Sequence, residues 1–371
     1  MSIGFNAKVR GWRGSARWLS LIVALGLLAA ACGDDDTAAT GSDEGGGSGE
    51  EATGADAEPS GTLRLGYFPN VTHAPAIIGV QEGIFEEKLG SAELELTTFN
   101  AGGEAIEAML GGSIDATFIG PNPAINGYSQ DNDLLRIVAG STSGGASLVV
   151  REGVDSVEDL AGTTLASPAL GNTQDVALRA WLADEGYETT QSGGGDVEIT
   201  PQENPDTLTA FLDGAIDGAW LPEPWATRLV DEAGGHVLLN EADIWPDGQF
   251  VTTHLIVSAD YLAENPANVR ALIDGLLDAI DIANDDAGQA QAIVNDGIEA
   301  DTTNRLEDET IAGAWENLTF TPDPIASSLE KSKEDAVEVE LLEDVDLDGI
   351  YDLTILNELL AERGEAEVDG L

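Results

Sequence analysis

The stretch AFLDGAIDGAWLPEPWA at residues 210–226 is close to a second copy of AMLGGSIDATFIGPNPA at residues 108–124. Each copy runs from an alanine through an Ile-Asp pair to a Pro-x-Pro sequence, and Gly-Thr dipeptides at 61–62 and 162–163 precede the copies in the same order. The two copies lie about 100 residues apart. Known solenoid repeats have much shorter periods, of about 20–50 residues. The sequence therefore predicts two domain-sized halves with the same local plan.

Short apolar runs alternate with helical patterns in both halves. Alternation of this kind indicates βαβ units and a mostly parallel sheet in each half. The predicted fold class is therefore α/β, with two lobes. Strands are predicted at residues 63–67, 93–99, 115–119 and 134–140, and again at 163–167, 197–200, 217–221 and 236–239, with a helix after each of the first three strands of a half.

Two further apolar segments, residues 147–151 and 250–258, bracket the second half. Both are rich in β-branched residues and predict extended crossovers between the halves. The predicted division is lobe 1 at residues 61–146 plus 250–371 and lobe 2 at residues 147–249. The C-terminal part of lobe 1 is predicted to be mostly helical, because apolar residues recur at three-and-four spacing across residues 266–284.

The N-terminal residues resemble a targeting segment and a tether. Basic side chains precede an apolar run at residues 19–31, which suits a signal peptide and falls short of the roughly 20 residues of a spanning helix. The run ends in Ala-Ala-Ala-Cys at Cys32, which resembles a bacterial lipobox with its usual leucine one position early, at Leu28. Residues 1–31 are predicted to be a lipoprotein signal peptide, with diacylation at Cys32. Residues 32–60, rich in Gly, Ser and acids, are predicted to be a disordered tether.

Charge and cysteine content exclude several classes of function. The chain carries 69 acidic and 15 basic residues, a net charge of −54, whereas nucleic acid phosphates are bound by clusters of Lys and Arg. No nucleic acid partner is expected, and the acidity is typical of a solvated surface, including one adapted to salt. Cys32 is the only cysteine, which leaves no internal disulfide and too few ligands for a zinc site. No metal and no cofactor are expected.

The candidate binding site lies in the loops that follow the predicted strands. Ligands of open α/β sheets bind outside the carboxyl ends of the strands, where helix N-termini offer unpaired N–H groups to an anion. These loops contain no Lys or Arg, so neutral donors would hold the anion, and His73 is the only candidate cation. Helix capping is the alternative role for any one of these loops. The predicted ligand-binding residues are Asn70, Thr72, His73, Asn100, Gly102, Pro121, Asn122, Asn172, Thr173, Glu223 and Trp225.

Glu223 is the predicted site residue whose charge opposes an anion. Its carboxylate either turns away to pair with Arg228 or meets an ammonium group on the ligand, as a zwitterionic aminosulfonate would require. Trp225, two positions later, is predicted to cover the tail of the ligand. Trp220 is predicted to be a core residue, and the aspartates of the repeated Ile-Asp pairs are predicted to be turn and strand-entry residues.

Six segments carry a wider resemblance: LRLGYFPNVTHAPA, TFNAGGEAIEAML, DATFIGPNPAIN, LGNTQDVAL, GAIDGAWLPEPWATRLV and WPDGQFVTTHLIVS. They resemble the aliphatic-sulfonate, nitrate and taurine group of ABC-transporter substrate-binding proteins, over residues 62–360 in order. The resemblance implies a two-lobed type II periplasmic-binding fold with the ligand in the interlobe cleft. It also implies closure that presents the ligand to a membrane permease with its ATPase. Members of this group differ in ligand, among them alkanesulfonates, taurine, nitrate, bicarbonate and thiamine pyrimidine precursors.

Together these observations predict a lipid-anchored, extracytoplasmic and monomeric solute-binding protein of an ABC importer. The first expected ligand is an aliphatic sulfonate, and taurine, nitrate, bicarbonate and a thiamine pyrimidine precursor are the alternatives. The protein is not expected to be an enzyme. A pyrimidine-synthase branch shares the fold, but the resemblance implies that it uses a Cys-rich motif, and this chain has no cysteine besides Cys32.

Two other functions, calcium binding and a receptor role without transport, compete with this hypothesis. DVDLDGIYD at residues 344–352 matches the first half of an EF-hand loop, but the twelfth position is Ile355, where calcium needs a bidentate glutamate. The segment is therefore predicted to be an ordinary turn. A receptor or adhesion module that keeps the fold without transport stays open at this point.

Overall fold

The structure is a computed structural model, and it describes residues 54–371. The predicted signal peptide, the predicted lipidation site Cys32 and most of the predicted tether lie outside the described residues. Ser60, the last residue of the predicted tether, exchanges two hydrogen bonds with Asn268, at 3.0 and 2.9 Å. The chain is therefore fixed on the fold from Ser60 onward. None of the helices within residues 54–371 has the length and apolarity to span a bilayer.

The described part of the chain contains eleven strands in two separate sheets. The first sheet has the order β11-β4-β10-β3-β1-β2 and the second the order β7-β6-β8-β5-β9. Every predicted strand is present, with ends that differ slightly from the prediction. The strands are β1 (Thr62–Tyr67), β2 (Glu93–Thr98), β3 (Ala116–Ile119), β4 (Leu135–Gly144), β5 (Ala146–Val150), β6 (Thr164–Ser167), β7 (Glu198–Pro201), β8 (Gly218–Pro222), β9 (His236–Asn240), β10 (Val251–Ser258) and β11 (Leu318–Phe320).

The sheets are mixed rather than mostly parallel, which corrects the prediction. β1 pairs in parallel with β2 and β3, and β6 pairs in parallel with β7 and β8. The strands that carry the chain between the sheets run the other way, since β10 is antiparallel to β3 and β4, and β5 is antiparallel to β8 and β9. Parallel neighbours need a crossover connection, usually a helix. A strand that arrives from the other sheet has no such helix, and here it enters antiparallel.

The repeated Ile-Asp pairs have the same role in the two sheets. Asp115 Oδ2 accepts the backbone N–H of Arg64 in β1 at 2.8 Å, and Asp217 Oδ2 accepts the backbone N–H of Thr164 in β6 at 2.9 Å. Each carboxylate therefore fixes the start of one parallel strand to its neighbour. Each also pairs with an arginine, Arg64 for Asp115 and Arg151 for Asp217. The prediction that these aspartates are strand-entry residues is confirmed.

Thirteen α-helices accompany the strands in residues 54–371. Two of them replace the single helix predicted after the first strand, because Gly83 between them has a φ of 68°, a left-handed conformation that ends a helix. The predicted amphipathic helix at 266–284 is confirmed as the long helix α9. The helices are α1 (Ala74–Gln81), α2 (Ile84–Leu89), α3 (Gly102–Leu110), α4 (Pro121–Gln130), α5 (Thr173–Asp184), α6 (Asn204–Leu212), α7 (Trp225–Asp231), α8 (Ala259–Glu264), α9 (Pro266–Asp285), α10 (Ala287–Thr302), α11 (Asp308–Glu316), α12 (Ala326–Glu338) and α13 (Thr354–Arg363).

Each sheet has its own apolar core. Leu65 of β1 and Leu272 of α9 are fully buried in the core of the first sheet, and Leu165 of β6 is fully buried in the core of the second. Trp220 of β8 is also fully buried there, and its Nε1 donates a hydrogen bond of 2.7 Å to Glu241 Oε2. The prediction that Trp220 is a core residue is confirmed. Separate cores let each sheet hold its strand-end loops independently of the other.

Candidate ligand-binding site

The carboxyl ends of the parallel strands of both sheets converge on one cavity. The loops after β1, β2 and β3 reach it from the first sheet, and those after β6, β7 and β8 reach it from the second. Its volume is about 50 Å³, enough for a few water-sized groups. It is lined by Phe68, Asn70, Thr72, His73, Asn100, Gly102, Gly120, Pro123, Pro168, Asn172, Thr173, Gln174, Asn204, Pro222 and Thr252.

Most of the predicted binding residues meet in this cavity. They come from loops that are far apart in the sequence, and the two sheets bring them together. Those that line the cavity are Asn70, Thr72, His73, Asn100, Gly102, Asn172 and Thr173. Those that lie outside its lining are Pro121, Asn122, Glu223 and Trp225. Contact with a ligand stays a prediction for the first group.

Among the helices that begin at the cavity are α3, α4 and α5. α3 starts at the lining residue Gly102, α5 starts at the lining residue Thr173, and Gly120, which precedes the first residue of α4, also lines the cavity. No side chain caps the first turn of these three helices in the part of the chain that the structure describes. Helix capping, the alternative role for Asn172, is therefore not what its side chain does here. The positive ends of the helix dipoles favour an anion in this place.

The two sheets approach each other closely at the cavity. A Cβ added to Gly120 would lie 2.6 Å from Thr173 Oγ1, so the Thr173 hydroxyl would have to move to admit a side chain. The glycine therefore allows a close approach where the first sheet meets the loop of the second. Trp225 Nε1 donates to Asn70 Oδ1 across the same boundary, at 2.9 Å. The described state is thus one in which the loops of the two sheets are in direct contact around the cavity.

Burial favours the neutral form of His73, the only candidate cation in the strand-end loops. Its side chain is buried and stacks on Phe68 with ring centroids 4.7 Å apart. Burial disfavours the charged imidazolium and lowers the pKa of His73 to about 3. Its Nδ1 has no hydrogen-bond partner among residues 54–371, which leaves a polar atom available in the cavity wall. No charged residue within those bounds lines the cavity.

Glu223 has neither of the two predicted roles. Its side chain is buried, with Oε1 accepting from Asn317 Nδ2 at 2.8 Å and Oε2 accepting from the backbone N–H of Thr227 at 3.1 Å. Burial raises the pKa of Glu223 above its ordinary value. Arg228 binds Glu232 instead, at 2.6 and 3.2 Å. Glu223 therefore joins α7 to the end of α11, and it does not reach the cavity to meet an ammonium group.

Asn122 and Pro121 also have structural roles that the sequence did not reveal. Asn122 Nδ2 donates to the backbone carbonyl of Ser332 in α12, at 3.0 Å, and the side chain is 2% exposed. Pro121 is the first residue of α4, a position where proline is favoured because its missing N–H would have no helical partner. Both residues start α4, and Asn122 fixes it against α12. Trp225 lies beside the cavity and reaches it through its hydrogen bond to Asn70.

Several lining residues were missed among the predicted site residues. Thr252 lies in the crossover strand β10, where the apolar pattern indicates only extended structure. Gln174 and Asn204 lie in the first turns of α5 and α6, and Asn204 Oδ1 is buried without a partner in the described part of the chain. Pro123 and Pro222 belong to the repeated Pro-x-Pro sequences. The repeat itself was the signal that could have placed these two prolines at the site.

Asp175 holds the loop that carries Asn172 and Thr173. It is fully buried, and its carboxylate accepts hydrogen bonds from Ser167 Oγ at 2.6 Å and from the backbone N–H of Gly171 at 2.9 Å. The same carboxylate pairs with Arg179 one turn along α5, at 3.1 Å. The carboxylate thus connects the end of β6, the loop and the helix. It acts on the cavity through these contacts and does not line it.

The acidic segment at residues 344–352 is a turn that packs against α4. Tyr128 Oη donates to the backbone carbonyl of Asp348 at 2.7 Å, and the backbone N–H of Asp348 donates to Asp346 Oδ1 at 3.0 Å. One of the carboxylates of the EF-hand-like pattern is therefore used within the turn. Residues 54–371 contain no group of three or more His, Cys, Asp and Glu side chains that could hold a metal ion.

The sequence profile of the NMT1-like family matches residues 56–295, which is more than half of the chain. The chain belongs to the NMT1-like family. The matched segment includes all lining residues of the cavity, from Phe68 to Thr252. The cavity therefore lies within the part that the chain shares with this family.

Curated relatives of this NMT1-like chain include two proteins that are named for the small solutes they bind. The taurine-binding periplasmic protein of Escherichia coli (strain K12) is 26% identical over 206 residues, which cover 55% of this chain and 62% of that protein. The nitrate/nitrite binding protein NrtA of Nostoc sp. is 23% identical over 237 residues, which cover 58% of this chain and 52% of that protein. The chain thus spans less than two thirds of the length of these relatives.

Solved structures confirm the predicted two-lobed binding-protein fold. The alkanesulfonate-binding protein SsuA from Xanthomonas axonopodis pv. citri, bound to MOPS, superposes with a TM-score of 0.65 at 18% identity and covers 78% of this chain and 96% of that chain. The periplasmic nitrate-binding protein NrtA from Synechocystis PCC 6803 gives a TM-score of 0.66 at 16% identity, covering 81% and 88%. At these identities the likeness establishes the fold alone.

Proposed function

We propose that this chain is the extracytoplasmic solute-binding protein of an ABC importer and that it captures a small organic anion, an aliphatic sulfonate, for delivery to a permease. One observation carries the proposal: strand-end loops of both sheets and the start of three helices line a single cavity without charged side chains. It is not proposed to be an enzyme, since the relatives named above are binding proteins.

Neutral donors suit a receptor that has to release its ligand. Backbone N–H groups at helix starts and the side chains of Asn, Thr and Gln can hold an anion by hydrogen bonds. A buried Lys or Arg would hold it more tightly, because a full positive charge would add Coulomb attraction in a site of low dielectric constant. The net charge of −54 repels anions at long range, so short-range hydrogen bonds in the cavity must supply the affinity.

We propose a head group with several oxygens, because potential donors line the cavity from both sheets. A sulfonate offers three acceptor oxygens and can meet donors from both sheets at once. Taurine would also bring an ammonium group, and no carboxylate of residues 54–371 lines the cavity to receive it. Glu223, which had been predicted to do so, is bound to Asn317 and Thr227. This supports an aliphatic sulfonate over taurine, while nitrate, bicarbonate and a thiamine pyrimidine precursor are left to the ligand panel that closes the Discussion.

The signal peptide, the lipid anchor, the tether and the division into lobes are part of the same proposal. Residues 1–31 would be removed as a signal peptide, Cys32 would carry the lipid, and residues 32–60 would tether a monomeric binding protein to the outer face of the membrane. Lobe 1 would comprise residues 61–146 plus 250–371, and lobe 2 residues 147–249. The partition of the strands between two sheets supports this division.

Closure of the two lobes on the ligand is the proposed mechanism. Chain segments pass between the sheets from β4 to β5 and from β9 to β10, and these would act as the hinge. In the described state, contacts already join the lobes: Asn126 Nδ2 donates to the carbonyl of Gly171 at 3.4 Å, and Trp225 donates to Asn70. We take this state as the closed one.

Small-angle scattering of the full chain tests closure. Without ligand the lobes are expected to separate, since water can replace the hydrogen bonds between them, such as those from Trp225 to Asn70 and from Asn317 to Glu223. Saturating ethanesulfonate is expected to lower the radius of gyration, while sodium chloride at the same ionic strength is expected to leave it unchanged. Scattering profiles that coincide with and without a ligand that calorimetry shows to be bound would contradict closure.

A further inference from the structure

A second space lies directly beside the cavity. It has a volume of about 290 Å³, several times that of the cavity, and we call it the side groove. Asn70, Asn100 and Asn204 line both spaces, so the groove and the cavity are adjacent and these three side chains lie at their boundary. A ligand with its head group in the cavity would reach the groove past these side chains.

The side groove is lined by apolar side chains from three parts of the fold and by polar ones, among them Thr209, Thr302 and Asn304. Phe99 follows β2, Leu208 lies in α6, Trp225 begins α7, and Ile298 and Leu306 lie in and after α10. The leucines and the isoleucine are buried, whereas the two aromatic rings are half-buried and keep one part of their surface open. Apolar walls with a few polar groups at one end are typical of small-molecule sites.

Charge is distributed in the side groove differently from the rest of the molecule. Although the chain carries 69 acidic residues, no Asp or Glu of residues 54–371 lines the groove. Its charged lining residue is Arg228, whose guanidinium lies 4.6 Å from the centre of the Trp225 ring and is bound to Glu232. Trp225 is fixed on its other side by the hydrogen bond to Asn70. The ring is therefore held as a rigid apolar wall, and an ammonium group would find no carboxylate among the described residues that line the groove.

We propose that the side groove holds the apolar body of the same ligand whose anionic head occupies the cavity. The ligand class would then be alkyl or aryl sulfonates with several carbon atoms, in preference to inorganic anions and to taurine, whose two-carbon body ends in a charge. This inference rests on the proposed function, because it places the head group in the cavity.

A series of alkanesulfonates of increasing length separates the side-groove proposal from the proposed function. Calorimetry of the full chain with methane-, butane- and hexanesulfonate is expected to show affinity rising about fourfold for each added methylene, the gain for burying one such group from water. Equal affinities for methane- and hexanesulfonate would overturn the proposed role of the side groove and leave the proposed function standing. Binding of none of the three would overturn both.

A pair of leucines in α6 provides a matched test of the location. Leu208 lines the groove and is 7% exposed, whereas Leu212, one turn later, is 57% exposed and outside the groove lining. Leu208→Ala is expected to weaken hexanesulfonate binding about tenfold and to leave methanesulfonate within about twofold, while Leu212→Ala changes neither. A loss that is the same for both ligands would place the tail elsewhere and overturn the proposal. If Leu208→Ala does not fold, the chain-length series on the unsubstituted protein decides.

Discussion

Replacing Asp175 by alanine is expected to lower the free energy of unfolding by about 3–5 kcal/mol, the usual cost of removing one partner of a buried ion pair. Asp175 is 0% exposed and Arg179 is 2% exposed, so the substitution would leave a guanidinium in the interior without its counter-charge. It would also remove the acceptor of Ser167 Oγ and of the backbone N–H of Gly171. Urea denaturation followed by tryptophan fluorescence measures the change.

A surface ion pair supplies the control for this substitution. Asp296 pairs with Arg305 at positions that are 67% and 41% exposed. Asp296→Ala is therefore expected to cost less than about 1 kcal/mol, because water screens the pair and solvates the remaining arginine. If Asp175→Ala costs no more than Asp296→Ala, then the buried carboxylate does not support the loop in the way described here.

The double substitution Asn172→Ala with Thr173→Ala is expected to weaken sulfonate binding by about thirtyfold or more. Each side chain lines the cavity at the start of α5, and a lost buried hydrogen-bond partner costs about 1–3 kcal/mol. Two such losses multiply, since every 1.4 kcal/mol is about a factor of ten in the dissociation constant. Calorimetric titration with ethanesulfonate gives the ratio directly.

The matched control for this variant removes the same two side-chain types from exposed positions. Asn132 and Thr97 are both exposed and are absent from the cavity lining. Asn132→Ala with Thr97→Ala is expected to bind ethanesulfonate as the unsubstituted chain does. Thermal unfolding of both double variants shows whether the fold is intact. Unchanged affinity in a folded Asn172→Ala, Thr173→Ala variant would remove these residues from the site.

Local patterns in the sequence were sufficient for most of the fold. The alternation of apolar runs and helical patterns, with the two β-branched segments, predicted every strand except the short β11, and the repeat predicted that Asp115 and Asp217 would have the same role. Strand direction was not predictable in the same way. Whether β5 runs parallel or antiparallel to β8 depends on the path by which the chain arrives from the other sheet, and no local signal records that path.

The site was predictable where its position follows from backbone topology. Asn70, Asn100 and Asn172 line the cavity because loops after parallel strands meet at one edge of a sheet. The direction of a side chain, by contrast, depends on partners that are distant in the sequence. Glu223 turns to Asn317 and Asn122 turns to Ser332, both in the C-terminal helical region. No pattern around Glu223 or Asn122 could have shown these contacts.

The electrostatic character of the cavity was only partly predictable. The absence of Lys and Arg from the strand-end loops indicated neutral donors, and the lining agrees with this. The state of His73 could not be read from the sequence, because the depressed pKa depends on how completely the fold buries the imidazole. The side groove was equally hidden, since residues after α10 complete a wall that begins at β1.

Calorimetry of the full chain against a panel of solutes tests the central claim most directly. The panel would hold ethanesulfonate, taurine, sulfate, nitrate, bicarbonate and a thiamine pyrimidine precursor, each at the same ionic strength. Micromolar or tighter binding of ethanesulfonate, with weaker binding of taurine and of the inorganic anions, is the result that we predict. Binding of the pyrimidine together with no heat from any anion would contradict the anion site, although the fold would stand.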